Sequence, residues 1–322
     1  MLRYVWRRVG TALALIWVVA TLVFAFLHVL PGDPVLIILG AEGGAQAPSP
    51  AQVAAVRAAL GLDQPVPAQY GRWLARLARL NLGVSLYDAT PVTQNVAERL
   101  PASLELIGVA VGVAVVAGVA LGVTAARFRG SWADAALSGV LAGGLSVPVF
   151  VVGTLVLLVF SVTLRWFPVG AYVRVGEDPL GHLRQLILPA LTLAFNLFGV
   201  VGRIARASVL EVIHQEYVRT ARSKGLDEGR VLSRHVLRTA LIPIVTVVGV
   251  QFGILIGGTV LVEYIFNWPG ISTLLFTAIQ RRDYPVVQGI VLATSAMFIF
   301  INLLVDLSYA VLDPRVRYEG GT

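Results

Sequence analysis

The sequence contains no cysteine, and only 13% of its 322 residues are charged. Without cysteine there is neither a disulfide framework nor a thiolate metal site. Soluble domains carry about 25% charged residues, so 57% hydrophobic residues and a mean hydropathy of +0.80 indicate an integral membrane protein. The basic residues that give the net charge of +7 lie beside apolar runs. This placement favours contact with the headgroups of a lipid bilayer over binding to nucleic acid.

Motifs for catalysis and nucleotide hydrolysis are also absent. The chain has no G-x-x-x-x-G-K-[ST] loop, no H-E-x-x-H zinc motif and no G-x-S-x-G nucleophile motif. Its four histidines lack the spacing of metal ligands, so we predict neither a catalytic residue nor a metal site. No chain of carboxylates or ladder of arginines crosses the apolar runs, which weakens the hypothesis of an ion-coupled transporter or channel acting alone. The energy for transport must then come from a partner.

Six apolar runs predict helices that cross the ~30 Å hydrocarbon core of a bilayer, of which the fourth, with 16 residues, is short. They cover residues 9–30, 101–125, 133–162, 186–201, 239–261 and 286–311. Pro148 lies inside the third run and should kink its helix. Basic residues mark the N-terminus, the loop after the second run, and the end of the fourth run at Arg203 and Arg206. Six spans with cytoplasmic N- and C-termini place all these basic groups on the cytoplasmic side.

The polar segment between the first two runs is expected outside the cytoplasm. Residues 49–60 predict a short helix, and residues 66–80 predict an amphipathic helix with Tyr70 and Trp73 on its apolar face. Such a helix either lies on the membrane surface or packs against the rest of the protein. The pattern leaves both arrangements open.

The longest charged interval runs from Glu216 to Pro243, between the fourth and fifth runs. Residues 217–224 contain neither Pro nor Gly and predict a short helix, which Gly225 can end in a left-handed conformation. Apolar residues between 231 and 236 then recur at helical spacing and predict a second short helix. Two short helices joined at a glycine form a protruding surface on which a cytoplasmic protein can dock.

Segments distributed over nearly the whole chain resemble the permease subunits of ATP-binding-cassette (ABC) importers for peptides, nickel, opines and related solutes. The most specific match is Y-V-R-T-A-R-S-K-G-L at 217–226, followed by R-H-V-L-R-T-A-L-I-P at 234–243. Arg219 stands where the general importer loop has Glu, which is usual in the peptide branch. Further similar segments, in the order of the family, are P-G-D-P at 31–34, R-L-P-A-S-L-E-L at 99–106, F-N-W-P-G-I at 266–271, R-D-Y-P at 282–285 and L-D-P-R-V-R-Y at 312–318.

The resemblance implies an all-α integral membrane protein with the six transmembrane helices of the type I ABC importer permease fold, in the inner membrane of a prokaryote. It implies a first helix within residues 1–30, an extracytoplasmic segment at 31–95, a transmembrane domain at 96–311 with an ATPase-docking loop at about 207–238, and a tail at 312–322. It also implies partners: a homologous second permease, two ABC ATPase subunits that use ATP and Mg, and an extracytoplasmic solute-binding protein. This chain, which resembles the first permease of such a pair, would bind no cofactor itself.

The predicted function is therefore that of a permease subunit that imports peptides or a related solute, such as a nickel chelate or an opine. The alternative is a stand-alone ion-coupled transporter or channel. The resemblance assigns ATPase docking to Tyr217, Val218, Arg219, Thr220, Ala221, Arg222, Lys224, Gly225, Leu226, His235 and Leu237. Bulk at Ala221 or Gly225 should disturb a close helix contact or a left-handed turn. Arg222 and Lys224 either pair with carboxylates of the ATPase or only orient the chain in the membrane.

Polar residues inside the apolar runs are candidates for the translocation path. They are Asn196, Gln251, Asn302 and Asp306. Hydrogen bonding between helices is the alternative role for each of them. Glycines at 249, 253 and 257 lie four residues apart in the fifth run, and this bare helix face is either a tight helix–helix seam or a lining of the path.

Overall fold

The computed structural model of the protein describes residues 2–29, 35, 49–60, 62–168, 170 and 172–312, and its elements in that range are helical. The P-G-D-P segment at 31–34 and the tail at 313–322 lie outside the described residues. The helices are α1 (Leu2–Val29), α2 (Pro50–Leu60), α3 (Val66–Ala78), α4 (Val92–Arg127), α5 (Trp132–Ser146), α6 (Val149–Val156), α7 (Pro179–Val212), α8 (Glu216–Ser223), α9 (Glu228–Arg230), α10 (Leu237–Gly258), α11 (Val260–Ile265), α12 (Ile271–Gln280) and α13 (Tyr284–Leu312). Two π-helical stretches, Leu157–Thr163 and Val231–Val236, continue α6 and α9.

Five helical stretches in the described chain are long and apolar enough to cross a membrane, and the bent pair α5–α6 makes a sixth when it counts as one span. This confirms the predicted all-helical membrane fold. The helices extend well beyond the apolar runs: α7 has 34 residues and α4 has 36. Hydropathy marks only the part of a helix that faces hydrocarbon, whereas polar residues continue the same helix into the aqueous region.

The third span differs most from its prediction. The sequence predicts one helix kinked at Pro148, but α5 and α6 are separate helices that meet at 98°. Val147 has extended backbone angles, φ −101° and ψ 126°, which the residue before a proline favours. Pro148 therefore separates two half-helices instead of bending one.

The centre of the bundle is the parallel pair α4 and α7, in which Gly118 lies beside Val201 and Gly122 beside Ala205. A Cβ atom on Gly118 would lie 2.9 Å from the Phe198 carbonyl, and one on Gly122 would overlap the Gly202 carbonyl. These glycines therefore let the two backbones approach closely, as small residues do in membrane helices. The largest buried apolar cluster, with Leu106 and Val201 at its centre, surrounds this contact.

The outer helices use two further contacts. On α10, a Cβ on Gly249 or Gly253 would overlap side chains of α13, whereas a Cβ on Gly257 would meet nothing within 4 Å. The part of the glycine face at Gly249 and Gly253 is therefore a helix–helix seam. On α3, the ring of Tyr70 lies 5.2 Å from that of Phe24 in α1, and its hydroxyl lies 2.7 Å from the Thr21 hydroxyl. The amphipathic helix thus packs on the protein, which was one of the two arrangements left open.

Candidate functional site

The loop between the fourth and fifth spans begins with the short helix α8. Its bounds, Glu216–Ser223, confirm the helix predicted at 217–224. Gly225 has φ +77°, the left-handed conformation that the sequence predicts, and its N–H donates to the Arg222 carbonyl at 2.9 Å. A Cβ on Gly225 would meet nothing within 4 Å, so the backbone conformation, and not crowding, is what requires glycine here.

A small apolar core holds α8 against the ends of the spans. Val218 and Ala221 of α8 are buried, as are Val231 and Val236 of the π-helical stretch. They pack in one cluster with Ala126, Val209, Val212 and Ala240, which come from α4, α7 and α10. The side chains of Val218 and Ala221 therefore contact this chain itself, and added bulk at Ala221 would disturb the loop's own packing.

The opposite face of the loop is polar and exposed. The Arg222 guanidinium donates to both carboxylate oxygens of Glu228, at 2.6 and 3.3 Å, and Arg219 pairs with Glu216 at 3.0 Å. The Tyr217 hydroxyl donates to the Thr239 hydroxyl at 3.1 Å. The other predicted docking residues lie on the same loop, with Thr220, Lys224 and Gly225 exposed and with Leu226, His235 and Leu237 half-buried.

The second helix of the loop is not a separate element, contrary to the sequence-based prediction. Residues 228–258 form one continuous helical stretch, because the π-helical turns Val231–Val236 join α9 directly to α10. Helical periodicity detects the turns between 231 and 236 but cannot show where a helix ends when no Gly or Pro stops it. The fifth span thus begins inside the loop.

An ion pair next to the loop was not predicted. The Arg206 side chain of α7 donates to both carboxylate oxygens of Asp134 in α5, each at 2.8 Å. The Gly130 N–H also donates to Asp134, at 3.0 Å. In the sequence, Arg206 and Arg203 indicate only the orientation of the chain in the membrane. The one available signal is Ser131, because it caps α5 and so fixes where that helix begins. Asp134 follows it by three residues.

The four predicted path residues lie on three helices, α7, α10 and α13. Asn196 donates to the Gly144 carbonyl of α5 at 3.1 Å, and Asn302 donates to Phe298 in its own helix at 2.9 Å. Asp306 forms an ion pair with Arg8 of α1 at 2.9 Å, and Gln251 is half-buried on α10. That these residues line a path stays a prediction. For Asn196 the observed contact is the alternative role, a hydrogen bond between two helices.

A buried carboxylate at the end of the bundle opposite the loop was also missed. Glu263 is completely buried. Its Oε1 accepts hydrogen bonds from the hydroxyls of Ser103 and Thr259, at 2.7 and 2.8 Å, and its Oε2 accepts from the Thr273 N–H at 2.9 Å. A Cβ on Gly270 would overlap this carboxylate. The network joins α4 to the start of α12, where the sequence suggests only an external loop.

A phenol near this network has perturbed acidity. Burial, and then the negative charge of Glu105, raises the pKa of Tyr172 above its usual value. The Tyr172 ring meets that of Trp268 edge-on, with 5.0 Å between the centroids, and the Trp268 indole N–H donates to the Ala102 carbonyl at 2.9 Å. These contacts fix the loop before α7 against the segment after α11.

Two family profiles match the sequence. The family described as "Binding-protein-dependent transport system inner membrane component" matches residues 118–318. The family described as "Binding-prot-dependent transport system membrane comp, N-term" matches residues 1–107. Together they cover nearly the whole chain, including the loop from Glu216 to Pro243 and the break between α5 and α6.

Individual proteins of similar length also match. A protein of Brucella abortus (strain 2308), which bears the name of a peptide transport system permease protein, is 45% identical over 313 residues, covering 97% of this chain and 98% of that protein. A glutathione transport system permease protein of Salmonella paratyphi A is 41% identical over 319 residues, covering 99% of this chain and all of that protein. A crystal structure of an amino acid ABC transporter with histidines matches 67% of this chain and 92% of its own, with 18% identity and a TM-score of 0.48.

Proposed function

The chain belongs to the family of inner-membrane components of binding-protein-dependent transport systems, and from this premise we propose that it moves peptides as one of the two permease subunits of an ATP-driven importer. It is a multi-pass permease of the inner membrane. Two of its relatives, each matching 97% or more of the chain, are named for peptide and for glutathione transport. Glutathione is itself a small peptide, so a peptide main chain is the chemistry that these two names share.

The observation that carries the coupling part of the proposal is the preformed loop. A loop that only connected two spans would need neither an apolar core nor a glycine at φ +77°. This one holds α8 in a fixed orientation and exposes basic side chains. Three of these basic residues form no ion pair with any described residue: Arg230, Arg234 and Arg238. Such a surface fits an acidic groove on a soluble ATPase subunit.

The loop is built to transmit a displacement. Its core binds α8 to the ends of α4, α7 and α10, and α9 continues into α10 without a stop. Closure of two ATPase subunits on ATP and Mg would push α8, and the three spans would move with it. The remaining proposed partners are a homologous second permease and an extracytoplasmic solute-binding protein. This chain would bind, guide and release the peptide, and the hydrolysis would take place in the ATPase subunits.

The variant Gly225→Val tests the loop. Valine at φ +77° is strained by at least roughly 1–2 kcal/mol, so α8 should lose its orientation while the spans still insert. Gly229→Val adds the same side chain to the same loop at a residue without positive φ, where the added Cβ would lie 3.0 Å from the flexible Asp227 carboxylate, and it is the matched control. We expect Gly225→Val to abolish peptide uptake in proteoliposomes of the whole transporter and Gly229→Val to retain it. Normal uptake by Gly225→Val would contradict the coupling role.

Purification of the tagged chain with its genomic neighbours, in mild detergent, tests the assembly. We expect a second permease and an ATPase to elute with it, and vesicles without ATP to show no uptake. Peptide uptake by the chain alone, in vesicles free of ATP, would contradict the importer and support an ion-coupled transporter.

A further inference from the structure

The break between α5 and α6 lies at mid-depth in the bundle. Asn196 of α7 caps the end of α5 through the Gly144 carbonyl. Along α7, Asn196 is ten residues from Arg206, whose ion pair with Asp134 lies beside the docking loop. Ten residues of α-helix span about 15 Å, which is half of the ~30 Å hydrocarbon core. The chain therefore changes direction by 98° near the middle of the membrane.

Several main-chain polar groups at this break have no partner in the described part of the chain. The Gly144 carbonyl accepts from Asn196, and the Pro148 carbonyl accepts from the N–H groups of Val151 and Val152, at 3.0 and 3.2 Å. No other hydrogen bond between described residues reaches the main-chain groups next to Pro148. The groups left over are the carbonyls of Leu145, Ser146 and Val147 and the N–H groups of Val149 and Phe150. Ser146, Pro148 and Phe150 are also exposed on the surface of the chain.

Hydrocarbon cannot satisfy these groups. Each carbonyl or N–H left without a hydrogen bond in an apolar medium costs about 2–7 kcal/mol, so irregular backbone at this depth occurs only where it is buried in protein or lines a water-filled cavity. The face that carries the break must therefore be turned away from lipid. Either a second protein covers it or a path filled with water and solute runs along it.

The donors and acceptors at the break distinguish these two cases. A neighbouring transmembrane helix uses its own backbone groups internally and could offer only occasional polar side chains. Adjacent carbonyls and N–H groups instead require a partner that supplies both donors and acceptors. Water does so, and so does the main chain of a peptide, whose N–H and C=O groups alternate.

We propose that the break from Leu145 to Phe150 lines the translocation path and binds the main chain of the passing peptide. The carbonyl end of α5 accepts hydrogen bonds from peptide N–H groups or an α-ammonium, to which a helix C-terminus is favourably oriented. The N–H groups that begin α6 donate to peptide carbonyls. Because these contacts do not involve peptide side chains, they suit peptides of varied sequence. The inference rests on the proposed peptide importer and identifies where this chain touches its solute.

The natural absence of cysteine makes the test direct, because one introduced thiol is the only one in this chain. Ser146→Cys is nearly isosteric and places the thiol on the break. Leu15→Cys lies in the middle of α1 and is half exposed, so it reports on a thiol that faces lipid. Both variants are assembled into the whole transporter, made with cysteine-free partner subunits, and exposed to a water-soluble thiol reagent that does not cross membranes.

Only the thiolate form of a cysteine reacts with the reagent, and apolar surroundings suppress its formation. We therefore expect Ser146→Cys to be modified at least about tenfold faster than Leu15→Cys. We also expect excess peptide to slow the modification of Ser146→Cys several-fold. Equal, slow rates for the two variants would overturn the proposal, because the break would not face water. A fast rate that saturating peptide leaves unchanged would overturn the peptide site.

Peptide uptake by the cysteine-free parent is measured in the same vesicles. Its failure would contradict the proposed importer itself. The ratio of the two reaction rates still decides whether the break faces water, so the two failures are distinguishable.

Discussion

Replacement of the buried Glu263 by alanine should strongly destabilise the protein, and the network predicts by how much. Alanine leaves three donors without their acceptor. The hydroxyls of Ser103 and Thr259 can rotate toward other acceptors and lose about 1 kcal/mol each, whereas the fixed Thr273 N–H keeps a desolvation penalty of about 2 kcal/mol. With a small cavity term, the expected destabilisation is about 4–5 kcal/mol.

The variant Glu263→Gln separates the hydrogen bonds from the volume of the side chain. Its carbonyl oxygen can still accept from both hydroxyls, but its amide group then faces the Thr273 N–H, donor against donor. Only one hydrogen bond is lost, so we expect a destabilisation of about 1–2 kcal/mol. At roughly 2 °C per kcal/mol for a chain of this size, the melting temperature should fall by about 10 °C for alanine and about 3 °C for glutamine.

The assay is thermal unfolding of the purified transporter in detergent, followed by the loss of soluble, monodisperse protein. Glu211→Ala is the control, because Glu211 is exposed near the end of α7 and its loss removes the same charge. We expect that control to melt within about 1 °C of the wild type. The hydrogen-bond reasoning is wrong if Glu263→Ala has the melting temperature of the control. It is also wrong if Glu263→Gln lowers the melting temperature as much as Glu263→Ala does.

Two further matched pairs test contacts that stabilise the bundle. Arg206→Gln removes the bidentate pair with Asp134 and should lower the melting temperature by several degrees, whereas Arg203→Gln removes an exposed charge one turn away and should have almost no effect. Gly253→Ala forces a methyl group into a ring of α13 and should destabilise the detergent-solubilised protein, while Gly257→Ala meets nothing within 4 Å and should not. Equal melting temperatures within either pair would contradict the contact that it tests.

Local signals account for the parts of the site that the sequence predicts correctly. The end of α8 at Gly225 follows from the conformational freedom of one residue, and the helix before it follows from an uninterrupted stretch of eight residues. Neither depends on the rest of the fold. The membrane spans are predictable for the same reason, since each α-helix satisfies its own backbone hydrogen bonds.

The features that were missed depend on distant partners. Ser103 and Glu263 are 160 residues apart, and Arg206 and Asp134 are 72 residues apart. In the sequence Glu263 precedes W-P-G, which indicates a turn, so nothing local shows that its carboxylate is buried. The same limit applies to Pro148: proline predicts a disturbance of the helix, but the angle of 98° depends on how the two halves pack against α7.

Two contacts ten residues apart fasten α5 to α7 and connect the loop after α7 to the break. Asp134 and Arg206 join the helices at the loop end, and Gly144 and Asn196 join them at mid-depth. A displacement of the loop should therefore move the break, because α5 and α7 move as one unit. Without the ion pair, as in Arg206→Gln, α5 can lag behind α7. We then expect fewer peptides transported per ATP hydrolysed, measured as uptake against phosphate release in proteoliposomes, and an unchanged ratio would contradict this route of coupling.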